Sequence, residues 1–248
     1  METALYLIPV TLGATPYETV FPPYNREVIL QIHHFIVEEE RSARRFLKMV
    51  DASIDIDKLV FYPMGKHAEN GNFRTYLQPL VDGFPMGVIS EAGCPAVADP
   101  GADIVSIAQQ MGLKVKPMVG PSSILMGLMS SGFNGQSFAF HGYLPIGEPQ
   151  RIAMIKRLEA RSYAEDQTQI FIETPYRNRQ MFGHLLSACR PQTRLCVAAG
   201  ITCREEYIHT HTIQEWKNIQ LPDLRKTPAL FLIYRSIAPN STMPRRRK

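Results

Sequence analysis

Ser90-Glu91-Ala92-Gly93-Cys94-Pro95-Ala96-Val97-Ala98-Asp99-Pro100-Gly101 directly follows the apolar run Gly87-Val88-Ile89 and leads into a helical pattern. A short continuous apolar run reads as a strand buried on both faces, which is the mark of a parallel sheet. A loop leaving such a strand lies at the carboxyl edge of the sheet, where α/β proteins bind small ligands. Gly93 and Gly101 permit a backbone approach that a Cβ would block, and Pro95 and Pro100 stiffen the loop. The residues between them are small, so backbone N–H and C=O groups are what this loop offers a ligand. Asp99 suits the cap of the following helix. Taken alone, the stretch is equally a tight connection into a capped helix.

Working outward, Val119-Gly120-Pro121-Ser122-Ser123 repeats the arrangement after a second strand. Its serines suit an N-cap, and the free N–H groups of a helix start attract an anion such as a carboxylate. The helix it opens carries Ile124, Leu125, Met126, Leu128 and Met129, a composition that suits core filling. Upstream, residues 5–8, 35–37 and 59–62 read as strands, with helical patterns over 26–33 and 41–50; residues 113–115 read as a further strand. This alternation predicts a mostly parallel sheet with helices on both faces. The turn-rich stretch Gly132-Phe133-Asn134-Gly135 suits a domain boundary. Beyond it, strands are expected at 138–140, 169–172, 195–198, 206–212 and 229–234, and helices at 148–161 and 176–189. Few helices separate the last strands, which favours a mixed sheet. The expected fold class is therefore α/β with two α/β domains, over residues 1–134 and 135–238, followed by a basic tail at 239–248.

Composition narrows the function classes. The 248 residues are 45% hydrophobic and 20% charged, values of an ordinary globular chain. No apolar run approaches the ~18 residues that span a bilayer, and the first residues lack the pattern of a secretory signal, so a cytoplasmic protein with no membrane partner is expected. Cys94, Cys189, Cys196 and Cys203 form no CxxC pair, and His209 and His211 supply only two ligands, so no metal is expected. The formal net charge is +4, part of it from Arg245, Arg246, Arg247 and Lys248, a run suited to a solvated tail or to phosphate contact. GxxxxGK[ST], GxGxxG after the first strand and GxSxG are all absent, which disfavours P-loop enzymes, common dehydrogenases and α/β-hydrolases. His141, at a strand end leading into a loop, is a candidate for lining a cleft. Glu38-Glu39-Glu40-Arg41 reads as a solvated helix start with acids favoured by the dipole. Facing a cleft instead, Arg41 would hold a substrate phosphate and a neighbouring glutamate would orient or deprotonate a nucleophile.

Together these stretches resemble the tetrapyrrole methylase superfamily, and within it the ribosomal small subunit methyltransferase I branch, which methylates the 2′-oxygen of a cytidine in small-subunit (16S) rRNA. The resemblance runs from Leu5 to Tyr234 through LYLIP, EEERSARRFL, SEAGCPAVADPG, VGPSS, SGF, FAFHGYLP, IETPYRN and TPALFLIY, in that order. It implies a homodimer of two-domain subunits that holds S-adenosyl-L-methionine between the domains and acts on rRNA or the small ribosomal subunit. By position, Gly93, Cys94, Pro95, Ala96 and Val97 would contact the methionine part, with Ser122 and Ser123 beside it. Leu144, Pro145, Ala198, Pro228 and Ala229 would bracket the adenosine, and Arg41 and Asn70 would face the substrate. The sequence departs from the branch where Glu39 and Glu40 replace Asp-Thr and Ser42 replaces His, and in a longer first loop. Glu39 and Glu40 are the candidate bases for a hydroxyl nucleophile. Two other readings remain: a methyltransferase of a small molecule such as a tetrapyrrole, and a module that binds the cofactor without turnover.

Overall fold

The computed structural model of the chain describes residues 1–64 and 73–235. These residues form two compact units. The first, Met1–Ser122 with Thr202–Arg204, is built on strands β1 (Leu5–Ile8), β2 (His34–Val37), β3 (Val60–Pro63), β4 (Met86–Ile89) and β5 (Val115–Pro117). All pair in parallel in the order β3-β2-β4-β1-β5. The helices are α1 (Pro23–Ile29), α2 (Glu40–Val50), the short α3 (Phe73–Tyr76) and α4 (Gln78–Val81), and α5 (Ala102–Gln110). Strand side chains alternate between faces, and both faces are covered. Tyr6, Ile8, Phe35, Val37 and Ile89 join one core cluster with Phe46 and Leu47 of α2, while Leu5, Ile36, Met86 and Val88 join another with Ile104 and Ala108 of α5. That double burial is why these strands read as unbroken apolar runs.

β6 and α7 run three and four residues further than expected, to Tyr143 and Glu165, and the starts of α1 and β5 are shifted. α1 begins at Pro23, three residues early, because proline's fixed φ suits the first helical position. β5 begins only at Val115, because Gly112 (φ +68°) and Leu113 turn back to end α5, with the Leu113 amide donating to the Ala108 carbonyl at 2.9 Å.

The second unit, Ser123–Ile201 and the chain from Glu205, contains α6 (Ser123–Ser131), β6 (Phe138–Tyr143), α7 (Glu148–Glu165), β7 (Thr168–Glu173), α8 (Asn178–Ala188), β8 (Arg194–Ala199), β9 (Tyr207–Thr212), the short α9 (Ile213–Trp216) and β10 (Ala229–Tyr234). Its sheet runs β6-β7-β10-β8-β9, with β6 and β7 parallel and the other pairs antiparallel. Phe171, Leu195, Val197, Phe231 and Ile233 meet Ile155, Leu158, Phe182, Leu185 and Trp216 in its main core. α6 covers the opposite face, so close that a Cβ added to Gly127 would sit 2.3 Å from Leu230 Cδ2. This packing makes the units divide at Ser122/Ser123 rather than at residue 134, since α6 buries its small-residue face on the second sheet. Thr202–Arg204 groups with the first unit, where Thr15 Oγ1 donates to the Thr202 carbonyl at 2.9 Å. The basic tail lies outside the described residues. Among the described residues, no helix is long and apolar enough to cross a membrane.

Candidate functional site

Three loops meet at the carboxyl edge of the first sheet, because β4, β1 and β5 are neighbours and parallel. The loop after β4 holds four residues in the left-handed region: Gly93 (φ +70°), Ala96 (+65°), Ala98 (+61°) and Gly101 (+122°). For the two alanines this geometry costs about 1–2 kcal/mol each, a strain of the kind concentrated at functional sites. Backbone bonds hold it: Val10 N–H to the Gly93 carbonyl at 2.9 Å, Ala96 N–H to that of Pro100 at 3.3 Å, and Val97 N–H to that of Cys94 at 3.3 Å. The loop touches the turn after β5. Cys94 Sγ lies 3.6 Å from the Pro121 carbonyl oxygen, and a Cβ on Gly93 would lie 3.2 Å from Leu12 Cδ2 and 3.5 Å from that same oxygen. A Cβ on Gly120 would collide with the Pro9 ring at 2.4 Å, and buried Asn25 fixes the same turn by donating to the Val119 carbonyl at 2.7 Å. Gly93, Cys94, Pro95, Ala96, Val97 and Ser122 therefore occupy one rigid, backbone-lined rim. Replacing Ala96 with valine forces a β-branched side chain into the left-handed region and is expected to cost roughly 1–3 kcal/mol. The measurement is a urea midpoint, with Ala96→Gly as the control that keeps or improves stability.

The carboxylates beside this rim have separate fates. Glu39 is the N-cap of α2: its oxygens accept from the amides of Arg41 (3.0 Å) and Ser42 (2.8 Å), and those bonds hold its pKa below the ordinary carboxylate range. Glu40 is tied to Arg44 one turn on, at 2.7 Å. Arg41 is exposed beside them. Glu38 differs. It follows β2 directly, its amide bonds the Ile89 carbonyl at 3.2 Å, and its Oε2 is buried with no hydrogen-bond partner. Burial, then the nearby charges of Asp99 and Glu91, push its carboxyl upward. Burial and Glu91 do the same to Asp99, while Ser42 Oγ donates to Glu91. The Cys94 thiol is also raised, by burial and by Asp99, which keeps it protonated and makes it a poor nucleophile. Sequence reasoning chose Glu39 and Glu40 from the charged run and passed over Glu38. The available signal was its position immediately after the last apolar strand residue, which puts it on the rim rather than in the helix cap.

In the second unit, register gathers another set. Tyr143 pairs with Ile172, Ala229 with Glu173, and Ala229 with Ala199. The carboxyl ends of β6, β7 and β8 and the start of β10 thus share one edge, which carries Leu144, Pro145, Ala198, Pro228 and Ala229. Asn178, a residue that sequence reading did not single out, braces it from within. Its side-chain amide donates to the Leu224 (3.1 Å) and Thr227 (2.7 Å) carbonyls, setting the turn that precedes Pro228. Ser123 starts α6. His141 is engaged by Gln169, Nε2 to Oε1 2.8 Å, and burial holds its pKa down. Asn70 lies outside the described residues. Among the described residues no group of three or more His, Cys, Asp or Glu could hold a metal ion.

Solved structures share the fold of the chain. The methyltransferase CobJ matches with a TM-score of 0.61 at 14% identity, covering 94% of each chain. The cobalt precorrin-4 methyltransferase CbiF matches at 0.58 and 13%, covering 94% of this chain and 95% of that one. The fold is that of the tetrapyrrole methylases. By sequence, the chain's relatives are proteins named ribosomal RNA small subunit methyltransferase I. The one from Vibrio cholerae is 27% identical over 211 residues, 85% of this chain and 69% of that protein. The one from Mesorhizobium japonicum is 33% identical over 135 residues, 54% of this chain and 45% of that protein. No protein-family model matches the chain.

Proposed function

We propose that the chain is an S-adenosyl-L-methionine-dependent methyltransferase that acts on the 2′-oxygen of a cytidine in small-subunit rRNA, as a cytoplasmic homodimer. The similarity to proteins named for that substrate over 85% of the chain carries the choice of RNA over a tetrapyrrole. The strained rim supports the cofactor. Glycines at 93 and 120 let the loops pack closely against Leu12 and Pro9, which fixes the backbone of the rim, and carboxylates gathered beside it suit a cationic ligand. When bound, S-adenosyl-L-methionine supplies a methyl group on a sulfonium, ready for in-line attack. Gly93, Cys94, Pro95, Ala96 and Val97 would hold its methionine part through backbone groups, with Ser122 and Ser123 nearby. Leu144, Pro145, Ala198, Pro228 and Ala229 would enclose the adenosine.

A ribose hydroxyl must lose its proton during attack, and a carboxylate whose pKa is raised by burial and by neighbouring carboxylates is a stronger base than an exposed one. Glu38 is that base in this reading, since Glu39 serves the helix cap and Glu40 is paired with Arg44. Arg41, exposed at the helix start, and Asn70 would face RNA, with the basic tail adding phosphate contacts.

Calorimetry with S-adenosyl-L-methionine, followed by transfer of labelled methyl to small ribosomal subunits lacking their cytidine 2′-O-methyl group, tests the reading. Micromolar cofactor binding with stoichiometric methylation of one ribose is expected. Binding without transfer to any RNA would overturn the RNA assignment, and no binding at all would overturn the whole.

A further inference from the structure

The second unit's rim carries three large side chains open to water: Tyr176 is 92% exposed, Ile146 76% and Tyr143 55%. The Tyr143–Ile172 register sets the ends of β6 and β7 side by side, so loops 144–147 and 174–177 leave the same edge. Tyr176 does not stand on a loose segment. The turn beneath it is fixed by buried Glu173, whose Oε1 accepts from the Thr174 amide at 2.7 Å and from Arg177 Nη2 at the same distance. The Arg177 amide closes the turn on the Thr174 carbonyl at 3.0 Å, and fully buried Asn178 anchors its far end. A bulky aromatic presented to water from a fixed backbone turn contributes nothing to the core, and its face is open to a planar ligand. Arg179, three residues further on at the start of α8, is exposed and adds a cation to this end of the unit. Flat aromatics with an arginine at the same end are what an unpaired nucleobase and its phosphate require.

We propose that Tyr176, with Tyr143 and Ile146, forms a stacking shelf for an unpaired base of the RNA substrate, beside the residues assigned to the adenosine. This rests on the reading of the chain as an RNA methyltransferase and adds how the substrate is gripped. The shelf takes a base of the RNA and not the cofactor's adenine, which the enclosing small residues Pro145, Ala198 and Ala229 serve.

Tyr176 touches little of the protein, so replacing it spares the fold. The full chain and its Tyr176→Ala and Tyr176→Phe variants are titrated against a fluorescent single-stranded oligoribonucleotide and, separately, S-adenosyl-L-methionine, with sedimentation reporting the oligomeric state. Loss of one base stack is expected to weaken oligoribonucleotide binding about 10- to 100-fold in the alanine variant. The phenylalanine variant stays within about 2-fold, because the ring and not the hydroxyl does the stacking. Cofactor affinity and oligomeric state do not change. Equal RNA affinity of the alanine variant and the unaltered chain overturns the shelf, and leaves the function standing if that chain still methylates RNA. A loss that falls on cofactor binding or on self-association also overturns it, assigning the patch to adenosine or to a second copy. If the unaltered chain neither binds nor methylates RNA, both the shelf and the function fall.

Discussion

Glu38→Gln is expected to lower kcat about 100- to 10,000-fold, the range in which a positioned general base contributes. The substitution is nearly isosteric and removes a charge from a position where burial and two neighbouring carboxylates already disfavour one. It should therefore leave stability unchanged or improved. The pH profile carries the sharper test. A base works when ionised, so activity is lost as pH falls through the Glu38 pKa. Since that pKa is raised, the inflection lies above the ordinary ~4.3 of a glutamate and is absent in the glutamine variant. Asp99→Asn removes one of the repelling charges, so it should move the inflection to lower pH while Glu38 still works. Retention of kcat within about 3-fold in Glu38→Gln, or an inflection that survives it, would remove Glu38 from the mechanism. Glu39→Gln makes the contrast, since it should affect the start of α2 more than the pH profile.

The largest stability effect is expected from Trp216→Ala. The chain's single tryptophan is fully buried in the second unit's core, edge-on to Phe182 at 5.4 Å, with its indole N–H donating to the Leu195 carbonyl at 2.8 Å. Its ring also meets His211 at 4.8 Å, joining α9 to β9. Truncation to alanine opens a cavity and removes that donor, which together cost about 3–5 kcal/mol. Against the 5–15 kcal/mol of a typical domain this is a large share. Circular dichroism in urea reads the change, and Trp216→Phe, which refills most of the space, should recover more than half of it. A loss below about 1 kcal/mol in the alanine variant would mean that α9 is not integral to this core.

The strands were the most legible part of the fold. β1, β2, β4 and β10 stand out as apolar runs because each is buried on both faces, and the two Gly/Pro loops stand out because glycine and proline punctuate chain direction. The shifted starts of α1 and β5 turned on a proline's fixed φ and a glycine's left-handed turn, which act within a few residues and blur any reading by period. The boundary near residue 134 was the natural inference from Gly132 to Gly135, but α6 is claimed by the second sheet, and a turn signal carries no record of which sheet a helix packs on. Among candidate site residues, Glu39 illustrates the same limit. A run of three glutamates does not say which one caps a helix and which one has an oxygen buried without a partner.

By its sequence alone, this protein declared an α/β chain with two sheets and a pair of side-chain-poor turns after parallel strands. These properties are local: apolar periodicity and backbone freedom are written in neighbouring residues. Tertiary structure alone decided that Gly93 meets Pro121, that Glu38 is stranded among carboxylates, and that Leu144, Ala198 and Ala229 share an edge. Each of these depends on strand order and register, which join residues tens to more than a hundred positions apart through contacts that no local pattern encodes.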